Sequence, residues 1–229
     1  MTEISVVIPC YNEEKNIEKC IQKSLTAFQK LRIEGEVIVV DNNSTDKTSE
    51  IAKNAGAKVV FCEQIGYGNA LRCGFKAASG KYIIMGDGDD SYDFLEILGF
   101  YHAISITNSD MVTGSRLKGT IHKGAMPFLH RYLGTPVLTF ILNLLYKTNL
   151  SDSQCGMRMF KRDCLEKIEF KTTGMEFTSE LFVQFAKHGF SIMEIPIDLY
   201  PVHNRKSKLN PVRDGLRHLF YLISALHNI

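Results

Sequence analysis

Four short apolar runs, each closing on a polar loop and each followed by helix-forming sequence, limit what this chain can become more than any other feature. Residues 5–9, 36–40, 58–61 and 81–85 are rich in Val and Ile and read as buried strands. Helices are expected between them: from Asn12, with Glu13 and Glu14 in the first turn, toward Lys30; from Ser44-Thr45-Asp46 to about Asn54; and over 66–78. Strands separated by helices pair through crossovers, so the pattern predicts an α/β fold, a mostly parallel central sheet with helices on both faces.

The second half is less regular. Helices are expected over 93–108, 128–146, 162–168 and 177–187, and strands over 110–114, 157–160 and 191–195, with Pro196 allowing the last only an edge position. Pro211 opens an amphipathic helix with Leu216, Leu219, Phe220, Ile223 and Leu226 on one stripe. With no internal repeat, one domain over 1–229 is expected: a nucleotide-binding half (1–114), an irregular acceptor-side half (115–210) and a C-terminal helix (211–229) suited to an interface.

A chain of 229 residues that is 45% hydrophobic can bury a large core, and its net charge of +2 gives no general affinity for nucleic acid. Charge gathers locally, however, where Arg205, Lys206, Lys208, Arg213 and Arg217 face only Asp214. The six cysteines lack a paired CxxC spacing and no signal peptide precedes them, which predicts reduced thiols and a cytoplasmic location. The longest uncharged stretch, 132–146, contains Gly134, Pro136 and Asn143. It is shorter than the roughly 20 apolar residues of a spanning helix, so it is expected to be buried or interfacial.

Three predicted strands end in loops that carry chemistry. Ligands of open α/β sheets bind outside the carboxyl ends of the strands. Asp87 and Asp89 in Asp87-Gly88-Asp89-Asp90 alternate, so both point to one side and suit a hard divalent cation on a diphosphate. Asp41 is placed to hydrogen-bond ribose or a base edge, Tyr11 to stack on a base, and Glu13 to accept a bond from it. Asp90 and Asp93 read as turn and N-cap residues. Gly66-Tyr67-Gly68-Asn69-Ala70-Leu71 resembles a dinucleotide fingerprint but has Leu71 at the third glycine and follows the third strand, so it reads as a tight turn into a helix. An aspartyl-phosphate phosphatase would end its first strand, not its fourth, in the acidic motif.

The stretches Val7 to Glu14, Val39 to Asp46 and Asp87 to Asp89 resemble, in that order, the family 2 glycosyltransferases, and more closely the branch of dolichyl-phosphate mannose synthase and the polyprenyl-phosphate glucosyltransferases. Gly114-Ser115-Arg116, Asp152, Gly156-Met157-Arg158, Glu176 to Glu180 and Arg205 to Lys208 extend the likeness over essentially the whole chain. The resemblance implies a GT-A fold. It implies that Pro9, Tyr11, Glu13, Val39 and Asp41, with Asp87 and Gly88, hold the nucleoside of a UDP- or GDP-sugar, and that Asp87 and Asp89 hold Mg2+ or Mn2+. Arg116, Arg131, Arg205 and Lys208 match basic positions around donor and acceptor phosphates. Asp89, Arg116 and Arg158 are the expected catalytic residues, since a cation and arginines stabilise a departing diphosphate. Two departures stand out. Ser91 replaces a glutamine that often completes the metal site and is expected in its place as the third metal contact, and Asn204 to Lys208 lacks the usual glycine of the basic signature.

The resemblance also implies the acceptor. A sugar hydroxyl needs a general base, whereas a lipid phosphate is already anionic. Asp152 or Glu180 would be that base in the saccharide alternative; a sugar-nucleotidyltransferase is a third reading, lacking its usual Gly-rich basic N-terminal loop here. Inverting transfer of a hexose to a polyprenyl phosphate is the expectation, on a cytoplasmic membrane face reached peripherally through the 128–146 segment and the last helix, or through a membrane-protein partner.

Overall fold

The computed structural model describes residues 2–202 and 211–227. In chain order the elements are β1 (Ile4–Cys10), α1 (Ile17–Leu31), β2 (Gly35–Asp41), α2 (Thr48–Asn54), β3 (Lys58–Phe61), α3 (Tyr67–Ala77), β4 (Tyr82–Met85), α4 (Ile97–Thr107), β5 (Met111–Ser115) and α5 (Thr135–Tyr146). There follow β6 (Arg158–Lys161), α6 (Arg162–Leu165), α7 (Phe177–Lys187), β7 (Ile192–Pro196) and α8 (Pro211–Ser224). A π-helical turn, His130–Gly134, leads into α5.

The seven strands form one sheet in the order β3-β2-β1-β4-β6-β5-β7. Pairings β1/β2, β1/β4, β2/β3 and β5/β7 are parallel, whereas β6 runs antiparallel to both β4 and β5. Alternation along β1 explains the layering. Ile4, Val6 and Ile8 face a core completed by Ile17 and Ile21 of α1, Ala52 of α2 and Phe100 of α4. Val7 faces the opposite core, with Leu71 of α3, Leu142 of α5, Phe182 of α7 and Leu222 of α8. β7, which carries Pro196, lies at the sheet edge as expected.

Two expectations are corrected. First, α1 and α2 start at Ile17 and Thr48 rather than at Asn12 and Ser44. The side chains of Asn12 and Ser44 bond across to each other's loops, and Asp46 Oδ1 accepts the Thr48 amide at 3.0 Å instead. Second, Cys62 and Cys73 form a disulfide across the β3–α3 connection, with Cα atoms 6.2 Å apart; Cys10, Cys20, Cys155 and Cys164 are buried thiols outside any disulfide. The helix folds back beside the strand it follows, which the spacing of the cysteines does not reveal. Most of the apolar stripe of α8 faces away from the core. Asp214, His218, Leu222 and Ala225 turn inward, while Leu216, Phe220 and Ile223 face out, Phe220 being 75% exposed.

Phe128, Leu129, Leu133, Val137, Phe140 and Leu144 are likewise exposed along the π turn and α5, Phe140 at 65%. The two helices touch, and Tyr146 Oη donates to the Leu222 carbonyl at 2.7 Å. No helix among the described residues is long and apolar enough to cross a membrane.

Candidate active site

The chain leaves β1 toward β2 on one side and returns to β4 on the other, so a crevice opens at their carboxyl ends. The loops that fill it are tied together by short polar bonds. The Asn12 amide donates to Ser44 Oγ at 3.0 Å, and the Thr45 amide donates back to Asn12 Oδ1 at 2.8 Å. The Glu13 amide donates to Thr48 Oγ1 at 2.8 Å. Asn12 (φ 56°) and Asn43 (φ 70°) take left-handed backbone, which asparagine tolerates better than most residues.

Asp41 ends β2, nearly buried, with Oδ1 accepting the Ser44 amide at 2.8 Å and Oδ2 accepting the Ser49 hydroxyl. Its neighbour Asn42 anchors the next connection. Asn42 Nδ2 donates to the carbonyls of Cys62 (3.0 Å) and Gln64 (2.8 Å), and Oδ1 accepts the Gly66 amide at 2.8 Å. Tyr11 is exposed at the end of β1, Glu13 is buried and Pro9 is half-buried. Val39 is fully buried in the core, so its side chain offers no surface to a ligand.

Asp87 and Asp89 follow β4, both half-buried. Gly88 between them presses on the end of β1: a Cβ there would lie 2.7 Å from Cys10 Sγ and 3.2 Å from Ile8 Cγ2. Asp87 Oδ1 accepts the Tyr67 hydroxyl at 3.0 Å. Asp89 Oδ1 accepts both the Ser91 amide (3.0 Å) and the Ser91 hydroxyl (2.6 Å). Ser91, expected as a third metal contact, is thus turned toward Asp89. Asp90 (φ 60°) swings away to Lys19 and to Lys23, 2.8 Å from its carboxylate, and Asp93 caps a short 3-10 turn through the Leu95 amide.

Among the described residues no group of three or more His, Cys, Asp or Glu side chains is arranged for a metal ion. Mg2+ at nucleotide sites is typically held by one or two carboxylates plus the substrate's own phosphates. The two hard oxygen donors Asp87 and Asp89 fit a cation shared with a diphosphate, and do not fit one caged by protein alone.

The arginines are more deeply engaged than the sequence suggests. Arg116 follows β5 and grips Asp152 with Nε–Oδ2 at 2.7 Å and Nη2–Oδ1 at 2.8 Å, its amide adding a third bond at 3.0 Å. Burial pushes the Asp152 carboxyl up, but the Arg116 guanidinium and the Arg116 and Gln154 amides outweigh it and hold the group below the usual carboxylate range. Arg158 is sealed inside the protein, correcting its assignment to the transferring group. Its Nε, Nη1 and Nη2 donate to the carbonyls of Cys155 (3.0 Å), Thr178 (2.7 Å) and Ser153 (3.0 Å), and it lies 4.2 Å from the centre of the Phe182 ring. It pins the loop before β6 to α7. Arg131 lies on the π turn over the Tyr132 ring, 5.4 Å from its centre. Arg205 and Lys208 fall outside the described residues.

Glu180 is 1% exposed and accepts from the Lys171 amide (2.9 Å), the Thr172 amide (2.9 Å) and the Thr172 hydroxyl (2.5 Å). It orders the 171–173 loop. Sequence reasoning missed Tyr67, Tyr92 and Gly156, which wall in Asp87. Tyr92 Oη accepts the Gly156 amide at 3.0 Å, and a Cβ at position 156 would lie 2.5 Å from Asp87 Oδ2. The Gly-Tyr-Gly motif was the available signal for the first of these.

A seven-stranded, mostly parallel sheet with an acidic pair at its switch-point crevice defines the class, a GT-A fold. The chain belongs to the family 2 glycosyltransferases, matching the Glycosyl transferase family 2 profile over residues 5–169. It is similar to the low-salt glycan biosynthesis hexosyltransferase Agl6 of Haloferax volcanii, 41% identical over 97% of this chain but only 54% of that protein, so it spans about half the relative's length. A dolichyl-phosphate hexose transferase of the same organism is 32% identical over 93% of this chain and 89% of its own. Among solved structures, glucosyl-3-phosphoglycerate synthase from Mycobacterium tuberculosis, in complex with Mn2+, UDP and glucosyl-3-phosphoglycerate, superposes with a TM-score of 0.75. That match covers all of this chain and 81% of the other at 23% identity, a likeness of fold.

Proposed function

We propose that the protein transfers a hexose from a UDP- or GDP-sugar to a polyprenyl phosphate, with inversion at the anomeric carbon and with Mg2+ or Mn2+ at Asp87 and Asp89. One acceptor phosphate oxygen forms the new bond to the anomeric carbon as the bond to the nucleoside diphosphate breaks. When bound, the cation shields the charge that collects on the departing diphosphate. The chain's own residues position the reactants: Asp41, Tyr11 and Glu13 line the nucleoside end, and Asp87 and Asp89 meet the diphosphate. Arg116, held rigid by Asp152, borders Tyr92 beside Asp87. Arg131, Arg205 and Lys208 are assigned to the acceptor phosphate.

The burial of both nominated bases carries this reading. Asp152 and Glu180 are 0% and 1% exposed and fully occupied by hydrogen bonds and an ion pair. Neither can take a proton from a sugar hydroxyl, which favours an acceptor that arrives as an anion. The exposed apolar faces of α5 and α8, flanked by Arg131, Arg213 and Arg217, support peripheral docking on an anionic bilayer on the cytoplasmic side. Purified protein with radiolabelled UDP- and GDP-hexoses, Mn2+ and either polyprenyl phosphate or soluble glycan tests the proposal. Label in the lipid phase supports it, and label only in the soluble glycan overturns it.

A further inference from the structure

The Gly66-Tyr67-Gly68 motif is too far from the first strand to be a dinucleotide loop, yet both glycines are enforced by contact. Gly66 has φ 143°, and a Cβ there would lie 2.3 Å from the Thr173 carbonyl oxygen; at Gly68 the Thr172 carbonyl oxygen would be 2.7 Å away. The Gly68 amide donates to the Thr173 carbonyl at 2.9 Å, so this donor of the first turn of α3 is spent on protein. The 171–173 segment that presses on this turn is itself ordered by three bonds to Glu180. Between the two glycines, the Tyr67 side chain crosses to Asp87 and its hydroxyl donates to Oδ1 at 3.0 Å. On the other side of the same carboxylate, Gly156 approaches so closely that a Cβ there would lie 2.5 Å from Oδ2 and displace it.

We propose that Tyr67 is a positioning residue for the donor diphosphate: it fixes the orientation of the Asp87 carboxylate, and the Glu180-ordered loop aims it through the flanking glycines. The inference rests on the reading of Asp87 and Asp89 given above. An unrestrained aspartate samples several rotamers, and a cation shared with a diphosphate needs its oxygens already in place. One hydrogen bond to a charged carboxylate, lost without changing the ring, weakens what that carboxylate holds by about tenfold or somewhat more.

Tyr67→Phe keeps the ring and removes only the hydroxyl. Calorimetric titration with UDP and with GDP, each with and without Mn2+, separates the outcomes, and thermal melting of the metal-free variant monitors the fold. The expected result is an affinity for the Mn2+–nucleotide lowered about tenfold, with the metal-free nucleotide affinity and melting temperature close to the parent's. Unchanged Mn2+–nucleotide affinity overturns the role of Tyr67. Equal weakening with and without metal also overturns it, because the tyrosine then shapes the pocket as a whole rather than the carboxylate. Parent protein that binds neither nucleotide more tightly with Mn2+ overturns the reading of the site itself, and the role of Tyr67 with it.

Discussion

Gly156→Ala separates the integrity of the fold from the integrity of the site. The new methyl would sit 2.5 Å from Asp87 Oδ2 and 3.1 Å from Tyr92 Cε2, where ordinary contact begins near 3.4 Å. The obstructing atom is the tip of a rotatable side chain, so the carboxylate yields by about 0.9 Å and the backbone stays. Relief of that kind costs about 1–2 kcal/mol as mild overpacking. For a chain of this size it lowers the melting temperature by about 2–8 °C. Function suffers more, because a misplacement of about 1 Å at a reacting centre costs on the order of a hundredfold in rate. Gly215→Ala on α8 is the control: nothing lies within 4 Å of its Cβ, and a helical alanine is expected to stabilise by about 0.5–1 kcal/mol. Turnover of nucleotide sugar and Mn2+–nucleotide titration, alongside melting curves, read both effects. A folded Gly156→Ala protein with the parent's turnover and affinity would refute the placement of Asp87 in the site.

Asp89→Ala should lower turnover by on the order of a hundredfold or more while the circular dichroism spectrum is retained; unchanged turnover removes the metal assignment. Asp152→Ala strands the Arg116 guanidinium in a buried setting and should cost about 3–5 kcal/mol in urea unfolding; a loss below about 1 kcal/mol would mean the pair is solvated. Burial pushes the His218 imidazole from 6.5 down to about 4, and Ser179, Glu176, Arg158 and Asp214 surround it. Because the unfolded chain takes up this proton first, stability is full above about pH 6.5 and falls by roughly 3 kcal/mol as pH drops to about 4. His218→Gln should flatten that segment of the pH–stability curve, and an unaltered slope would assign it to other groups. Leu216→Asp with Phe220→Asp should leave the fold intact, since both side chains are exposed. It should cut partition onto vesicles of anionic lipid on the order of a hundredfold or more, from about 1.5–3 kcal/mol of burial for each of the two side chains; equal vesicle binding would exclude α8 from the interface.

The strand and helix order was legible because alternation of Val and Ile with polar loops records which segments cross the sheet, and β3 and α7 occupy the predicted residues. Helix starts were less legible. Asn12 and Ser44 look like N-caps in one dimension, but each side chain is spent on the neighbouring loop, a contact between strands that lie side by side only once folded. The acidic pair was readable because its residues are two apart. Tyr67 and Gly156 were not, since they reach Asp87 from 20 and 69 positions away in the chain and are recognised only by contact. Arg158 misled for the same reason: an arginine within a family-like motif reads as a phosphate ligand until its partners prove to be three backbone carbonyls. Amphipathicity located α8 and its outward stripe, but not the inner face, where Asp214 and His218 are buried polar groups that periodicity does not mark as core.

The reversed strand β6 has a further result. Its neighbours β4 and β5 deliver their departing loops to the crevice, but β6 pairs Arg158 with Met85 and so brings its arriving segment to that same rim. Ser153, Cys155 and Gly156 therefore stand at the rim that carries Asp87, although they belong to the half of the chain that follows it. Lengthening or re-sequencing the connection between α5 and β6 would reshape one wall of the cleft while every parallel pairing stayed in register. Such change is confined to residues that leave Asp152 on Arg116 and Gly156 against Asp87, because both sit in that same connection.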